Sequence, residues 1–412
     1  MLLFAALALA LQQSAGPIKV SIVKTPAGYQ LMRGTQKYFV KGVGGTIKMK
    51  QLKEAGGNSM RTWGTEKVAE ELDEAHKRGI SIMVGIWLGH KNYFDYKNPK
   101  QVAEQYESVK KDILRLKDKP AVLVWGLGNE MEIGNDIPET WKAIEDLAKL
   151  AKQLDPNHPT STVIADFDTK KIANIRKYCP SIDVLGINSY GGLATVPRRL
   201  KEAGWTKPYI VTEFGPIGPW ESKKTAWGAA YEPTSTEKAK KYASDYQKSV
   251  RSQQGWCLGS YAFLWGDKQE ETPTWFGMYL PTGERTEAVD VMIRAWSGHL
   301  PHNCAPEIDS FELDIKGQEV SPGSTFSANV SYHDPDSKSL KVRWEVRDET
   351  PERKHDGQGE KTGAIVQGGW QVAEGGKLEA KVPGLPGRYR LYVYINDDKG
   401  SAACGNWPFK VK

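Results

Sequence analysis

Cysteine is scarce in this chain: four residues in 412, with no two spaced as a CxxC pair. A disulfide framework needs a denser set, and structural zinc needs ligands paired at short spacing, so neither organises the fold. Cys304 and Cys404 lie near the two ends of the C-terminal region and are the pair that an oxidising compartment would join. Cys179 and Cys257 precede apolar runs and read as buried thiols. An excess of one charge sign is also missing. Lys and Arg number 56 against 50 Asp and Glu, a net +6 with both signs interspersed, and no basic cluster offers itself to nucleic acid. The one long apolar run, residues 2–11, has about half the ~20 residues of a membrane-spanning helix, so no membrane span is expected. Followed by Ser14, Ala15 and Gly16, it reads as a signal peptide over 1–16, although no Lys or Arg precedes it. The expectation is a secreted or periplasmic protein. No internal repeat and no low-complexity tract interrupts the rest, and oligomeric state leaves no readable trace.

What is present is an ordinary globular composition, 39% hydrophobic and 26% charged, with a surplus of 14 Trp. Residues 18–39 alternate apolar and polar around Gly28 and Gly34, a hairpin placed to cap the bottom of the domain it opens. Eight β-rich runs come next, at 39–43, 58–63, 81–88, 121–127, 162–165, 183–188, 208–212 and 258–265. Helical patterns alternate with them at 47–55, 66–78, 99–117, 138–154, 170–178, 196–203, 235–253 and 287–296. Runs such as Val122-Leu123-Val124-Trp125 are apolar without alternation, as in a parallel sheet buried on both faces. Eight such units predict an α/β fold, a (β/α)8 TIM barrel over 17–300 with the N-terminal hairpin. The alternative, an open doubly wound sheet, would open its first helix with a Gly-rich phosphate loop, and the chain has none there. After the Pro-containing linker that begins at Pro301, residues 301–412 carry short strands at 324–332, 340–346, 377–382 and 388–395 and no helix. They predict an immunoglobulin-like β-sandwich with Trp344 in its core.

Barrel active sites sit at the C-terminal ends of the strands, so the polar residues that end each run are the candidates. Arg61 lies near the end of the second run, His90 follows the third, Asn129 and Glu130 follow the fourth, Tyr190 follows the sixth and Glu213 follows the seventh. Two carboxyl groups facing each other across a barrel mouth are what a retaining glycosidase requires: one acid/base that keeps its proton and one charged nucleophile. A cation at Arg61 and a hydrogen bond from Tyr190 suit Glu213 to the charged role, and a drier setting suits Glu130 to the protonated one. Indole stacks on the apolar C–H face of a pyranose. Trp87 and Trp265 beside strand ends, and Trp220 and Trp227 in the long loop 214–233, are therefore candidate sugar contacts.

Trp125-Gly126-Leu127-Gly128-Asn129-Glu130 and Ile210-Val211-Thr212-Glu213-Phe214-Gly215 resemble the paired signatures of clan A glycoside hydrolases across roughly the whole barrel. Phe39-Val40-Lys41-Gly42-Val43-Gly44 and Gly57-Asn58-Ser59-Met60-Arg61-Thr62-Trp63 are similar to the catalytic domain of family 2. The layout of barrel then sandwich resembles family 158 endo-β-1,3-glucanases. The resemblance implies Glu130 as acid/base, Glu213 as nucleophile and Asn129 on the 2-hydroxyl of the sugar at the cleavage point. It further implies Arg61 and Tyr190 orienting Glu213, His90 touching that sugar and Trp265 forming its floor. The N-terminal sandwich domains of full-length family 2 enzymes have no counterpart in this sequence, so exo-acting galactosidase or glucuronidase specificity does not come with the barrel.

The resulting expectation is a retaining β-glycosidase acting on β-glucan, β-1,3-linked by layout. The alternatives are a transglycosylase or hydrolase of another β-linked polysaccharide (β-1,4- or β-1,2-glucan, mannan, galactan) or a non-catalytic carbohydrate-binding protein. No cofactor and no metal is called for: His158 and His302 lack partner ligands in sequence, and Asp334-Pro335-Asp336-Ser337 reads as a turn that needs no ion.

Overall fold

The computed structural model describes residues 16–349, 360–372 and 376–412. Apart from Gly16, the expected signal peptide lies outside the described residues. The first elements are the antiparallel strands β1 (Val20–Thr25), β2 (Gly28–Arg33) and β3 (Gln36–Tyr38). They lie against the loops that enter the barrel strands: Val20 N–H donates to Asn157 O at 2.7 Å and the Arg33 guanidinium to Pro120 O at 2.9 Å. Gly28 permits this approach, since a Cβ there would stand 2.1 Å from Gly255 O. The hairpin caps the bottom, as its alternation predicts.

The barrel strands are β4 (Val40–Gly44), β5 (Ser59–Arg61), β6 (Ser81–Ile86), β7 (Val122–Asn129), β8 (Thr160–Ile164), β9 (Val184–Asn188), β10 (Tyr209–Phe214) and β11 (Cys257–Ala262). All pair in parallel, and the ring closes in the order β10-β11-β4-β5-β6-β7-β8-β9. The helices are α1 (Met49–Glu54), α2 (Val68–Lys77), α3 (Pro99–Leu116), α4 (Pro138–Leu154), α5 (Thr169–Tyr178), α6 (Val196–Glu202), α7 (Ser235–Ser249) and α8 (Glu287–Ser297). Their starts are written in the sequence. Asn98 accepts the N–H groups of Lys100 and Gln101 with Pro99 at the first helical position, and Thr234 and Glu237 cap α7 reciprocally. Val109, Ile113 and Leu116 of α3 form the buried stripe expected of an amphipathic helix. Met83, Val163 and Ile210 fill the barrel floor, whereas Ile82, Val84 and Ile86 face the helices.

Beyond the linker, β12 (Glu307–Leu313), β14 (Thr325–His333) and β17 (Lys377–Lys381) form one sheet. The other runs in the order β13 (Glu319–Val320), β19 (Ala402–Val411), β18 (Gly387–Asn396), β15 (Lys341–Asp348) and β16 (Ile365–Val372). A three-stranded sheet facing a larger one with this order is an immunoglobulin-like sandwich, and Trp344 is fully buried between the sheets. The expected Cys304–Cys404 bond is not formed, and all four cysteines are free. Cys304 precedes β12 and its N–H donates to Asp336, while Cys404 belongs to the opposite sheet and packs with Leu280 of the barrel. Cys179 and Cys257 are buried, as their apolar surroundings in sequence predict.

The sandwich is tied to the loop after β10 by a buried polar knot. Glu232 accepts from Lys238 Nζ, Thr272 Oγ1, Thr274 Oγ1 and Asn406 Nδ2. Arg390 donates to Asn406 Oδ1 at 2.7 Å and to Ala230 O at 2.6 Å. Glu232→Ala leaves the buried Lys238 ammonium without its acid, and we expect a loss of about 3–5 kcal/mol in unfolding free energy, read from the denaturant midpoint. A midpoint equal to that of the unchanged protein would show that the knot contributes nothing.

Candidate active site

Four strand ends build the site. Arg61 is the last residue of β5, Asn129 the last of β7, Asn188 the last of β9, and Glu213 the penultimate of β10. Gly128 and Glu130 both take left-handed backbone angles, φ 78° and 55°, which turn the chain sharply after β7. The Glu130 N–H is held by Val163 O at 2.8 Å.

The buried Arg61 guanidinium organises the centre. One nitrogen donates to Glu213 Oε1 at 2.7 Å and to Thr212 O at 3.1 Å, and the other donates to Asn129 Oδ1 at 2.6 Å. Glu213 also accepts from Trp63 Nε1 at 2.8 Å and, on its other oxygen, from the Tyr190 hydroxyl at 2.8 Å. Burial, and then the Glu213 charge beside it, push the Tyr190 phenol far up, so it stays a donor. Thr212 Oγ1 donates to Asn188 Oδ1 at 2.7 Å, which turns the Asn188 amide nitrogen toward Glu130 Oε1 at 2.8 Å and Asn129 Oδ1 at 3.1 Å. With Arg61 and Asn188 both donating to its Oδ1, Asn129 keeps its Nδ2 group uncommitted among the described residues.

Glu130 has a different environment. Burial first, and then the neighbouring charge of Glu213, raise its carboxyl to about 7, against the opposing pull of Asn188 and Arg61. Glu132, two residues on, adds a further upward push while it is paired with Lys171 at 2.9 Å. One carboxyl group thus holds a proton near neutrality, and the other is surrounded by donors from Arg61, Trp63 and Tyr190.

The aromatic wall differs in one respect. Trp265 does not reach the mouth: it is 1% exposed, donates to Lys48 O at 3.2 Å and packs among helices against Tyr279 and Trp296. Strand β11 ends at Ala262, short of the expected end at Trp265, and Phe263 takes the inward place. Its ring meets Trp63, Tyr190 and Phe276 at 5.8, 6.0 and 5.4 Å. Trp220 is exposed and stands edge-to-face with Tyr190, one ring away from Glu213. Trp87 is exposed at the rim, and His90 stacks on it rather than on the carboxylate network, its imidazole pK pushed down by burial. Trp227 is half-buried in the loop after β10, with no ring partner among the described residues. Asn188 and Trp63 also join this network, in places that the sequence does not assign to them, although each ends or follows a barrel strand, the same signal that selects Glu130 and Glu213. Among the described residues no cluster of His, Cys, Asp and Glu is placed to hold a metal, and Asp334 accepts the N–H groups of Asp336 and Ser337 as a turn.

A sequence model of the glycosyl hydrolase family 2 TIM barrel domain matches residues 67–250. Over that stretch, 184 of the 412 residues, the chain is similar to the family 2 TIM barrel domain. It is 26% identical over 201 residues to a β-glucuronidase of Paenibacillus borealis, an overlap of 42% of this chain and 32% of that protein. In structure, the chain resembles the β-D-glucuronidase of Dictyoglomus thermophilum (TM-score 0.54, 18% identity, 68% of this chain and 54% of that one). A family 2 β-galacturonidase of Eisenbergiella tayi, solved with galacturonate, fits equally well (TM-score 0.54, 18% identity, 69% and 54%). A Bacteroides uniformis β-glucuronidase is matched over 95% of this chain and 48% of its own, at 14% identity and TM-score 0.53. The chain therefore spans about a third to a half of the length of these relatives.

Proposed function

We propose that the protein is a retaining β-glycosidase in which Glu213 is the nucleophile and Glu130 the acid/base. The observation that carries this is the Glu130 carboxyl, raised to about 7 beside a Glu213 that receives Arg61, Trp63 and Tyr190. Glu213 attacks the anomeric carbon as Glu130 passes its proton to the departing glycosidic oxygen, and a glycosyl ester forms on Glu213. The ester carries no charge, so one of the two main causes of the raised Glu130 pK disappears. Glu130, now a carboxylate, stays one and takes a proton from the water that opens the ester. Arg61, Trp63 and Tyr190 then receive the charge that returns to Glu213. The uncommitted Asn129 Nδ2 group is placed to donate to a hydroxyl of the bound sugar.

For the substrate, we propose a neutral β-linked glucan, with β-1,3 linkage favoured by the layout of barrel and sandwich. The relatives' names point instead to uronides. A uronide needs a cation for the carboxylate at its C6, and three cations around this mouth are already paired: Arg61 with Glu213, Lys171 with Glu132 and Lys268 with Glu270. The apolar N-terminal run supports an exported enzyme working on material outside the cytoplasm. The test is a panel of aryl β-glucosides, β-galactosides, β-mannosides and β-glucuronides beside linear glucans, with NMR of the newly formed anomeric centre. Product of retained β configuration is expected, from glucosides ahead of glucuronides. Inverted product would overturn the assigned roles, and preference for glucuronides would overturn the substrate.

A further inference from the structure

Two exposed tryptophans stand on opposite rims of the barrel mouth. In the ring of eight strands β6 and β10 are four places apart, hence diametrically opposed. Trp87 directly follows β6, and the alternation that sends Met83 into the barrel interior carries Trp87 to the inward face at the top. It is 43% exposed, stacks on His90 at 4.7 Å with planes 23° apart, and donates from Nε1 to the Tyr93 hydroxyl at 2.7 Å. Tyr93 is itself 62% exposed. Across the mouth, Trp220 in the loop after β10 is 58% exposed and is held edge-to-face by Tyr190 at 5.6 Å, with Phe276 at 6.1 Å. Glu130 and Glu213 lie between the two rims.

Large rings left in water forgo the stabilisation that burial would give them. Here each exposed indole is also fixed in orientation by neighbouring rings or a hydrogen bond, so a ligand that lies on it meets a surface already in place. A pyranose offers an apolar C–H face of matching size and hydroxyls at its edge, where the Tyr93 phenol and the Trp220 edge can meet them. A platform on one side only would suit a sugar held at a chain end. Platforms on both sides of the carboxyl pair suit a chain that passes over it.

We propose, building on the glycosidase reading, that a linear β-linked oligosaccharide binds across the mouth with sugar units on Trp87 and on Trp220, and that cleavage falls inside the chain. The test uses the full protein with Trp87→Ala and Trp220→Ala, each checked by thermal melting, on linear β-1,3- and β-1,4-gluco-oligosaccharides from dimer to hexamer and on an aryl β-glucoside. For each variant the ratio of kcat/KM on the hexamer to kcat/KM on the aryl glucoside is expected to fall roughly tenfold. The unchanged protein is expected to release mixed oligomers from the hexamer. A ratio that stays constant in either variant, or release of monosaccharide alone from the hexamer, overturns this proposal and leaves the glycosidase reading standing. No turnover of any glycoside by the unchanged protein overturns both.

Discussion

Glu213→Gln is expected to lower turnover of any β-glycoside the protein accepts by on the order of 10⁴-fold or more, because an amide cannot form the glycosyl ester on which the two-step route depends. Glutamine keeps the volume of the side chain and leaves acceptors and donors for Tyr190, Trp63 and Arg61, so the fold survives the change. Glu213→Ala tests the same step in the opposite sense. It removes the partner of a guanidinium that is only 2% exposed, so some stability is lost, but it opens a space on the face of the sugar from which the carboxylate attacked. Azide entering there is expected to restore turnover of an aryl β-glycoside and to yield the α-glycosyl azide. In Glu130→Ala the nucleophile remains, and azide is expected to open the glycosyl ester to the β-azide instead. Opposite product configurations from the two variants identify which carboxyl group does which task. The same configuration from both, or a Glu213→Gln rate within tenfold of the unchanged protein, would end the assignment.

The carboxyl pair is legible in the sequence because it rests on two strong signals: apolar runs long enough to number the strands, and the rule that barrel chemistry sits where those runs end. Strand β11 shows the limit of that rule. Its apolar run continues through Phe263, Leu264 and Trp265, and hydropathy does not say where pairing stops, so the run points to the indole at the mouth and passes over the phenyl ring. The structure reverses them, with Trp265 among the helices and Phe263 against Tyr190 and Trp63. The contact of Asn188 with Glu130 escapes for a different reason. Its place in the network comes from its amide orientation, which is set by Thr212 on the neighbouring strand and is invisible along one segment. In the sandwich, β19 is hidden since Gly405, Asn406 and Pro408 imitate a turn. Pro408 is tolerated because β13 pairs only with Lys410 and Val411, and at Pro408 that side uses only its carbonyl, which accepts the Gly317 N–H at 2.7 Å. The Cys304–Cys404 pairing fails because closeness to the ends of a domain says nothing about which sheet each thiol joins.

The second large effect is the pH dependence that Glu130 imposes. In the proposed mechanism its acid form is the one that starts the reaction, and its pK is raised, to about 7, by burial and by the Glu213 charge. Activity is therefore present below that value and is lost as pH rises through it, giving kcat/KM a descending limb near neutrality. Glu130→Gln is expected to remove that limb. It should also cost about 10²–10⁴-fold on substrates whose leaving alcohol needs a proton, and far less in the first step on a dinitrophenyl glycoside, whose leaving group departs unaided. Two neighbours then shift the limb in opposite directions. Glu132→Gln removes a negative charge that favours the protonated form, so the limb moves to lower pH. Asn188→Ala removes the hydrogen bond that favours the charged form, so the limb moves to higher pH. A residue that merely kept the site folded would change the height of the profile without moving its midpoint. Opposite displacements in these two variants therefore tie the limb to Glu130, and a midpoint that stays fixed in both would assign it to another group.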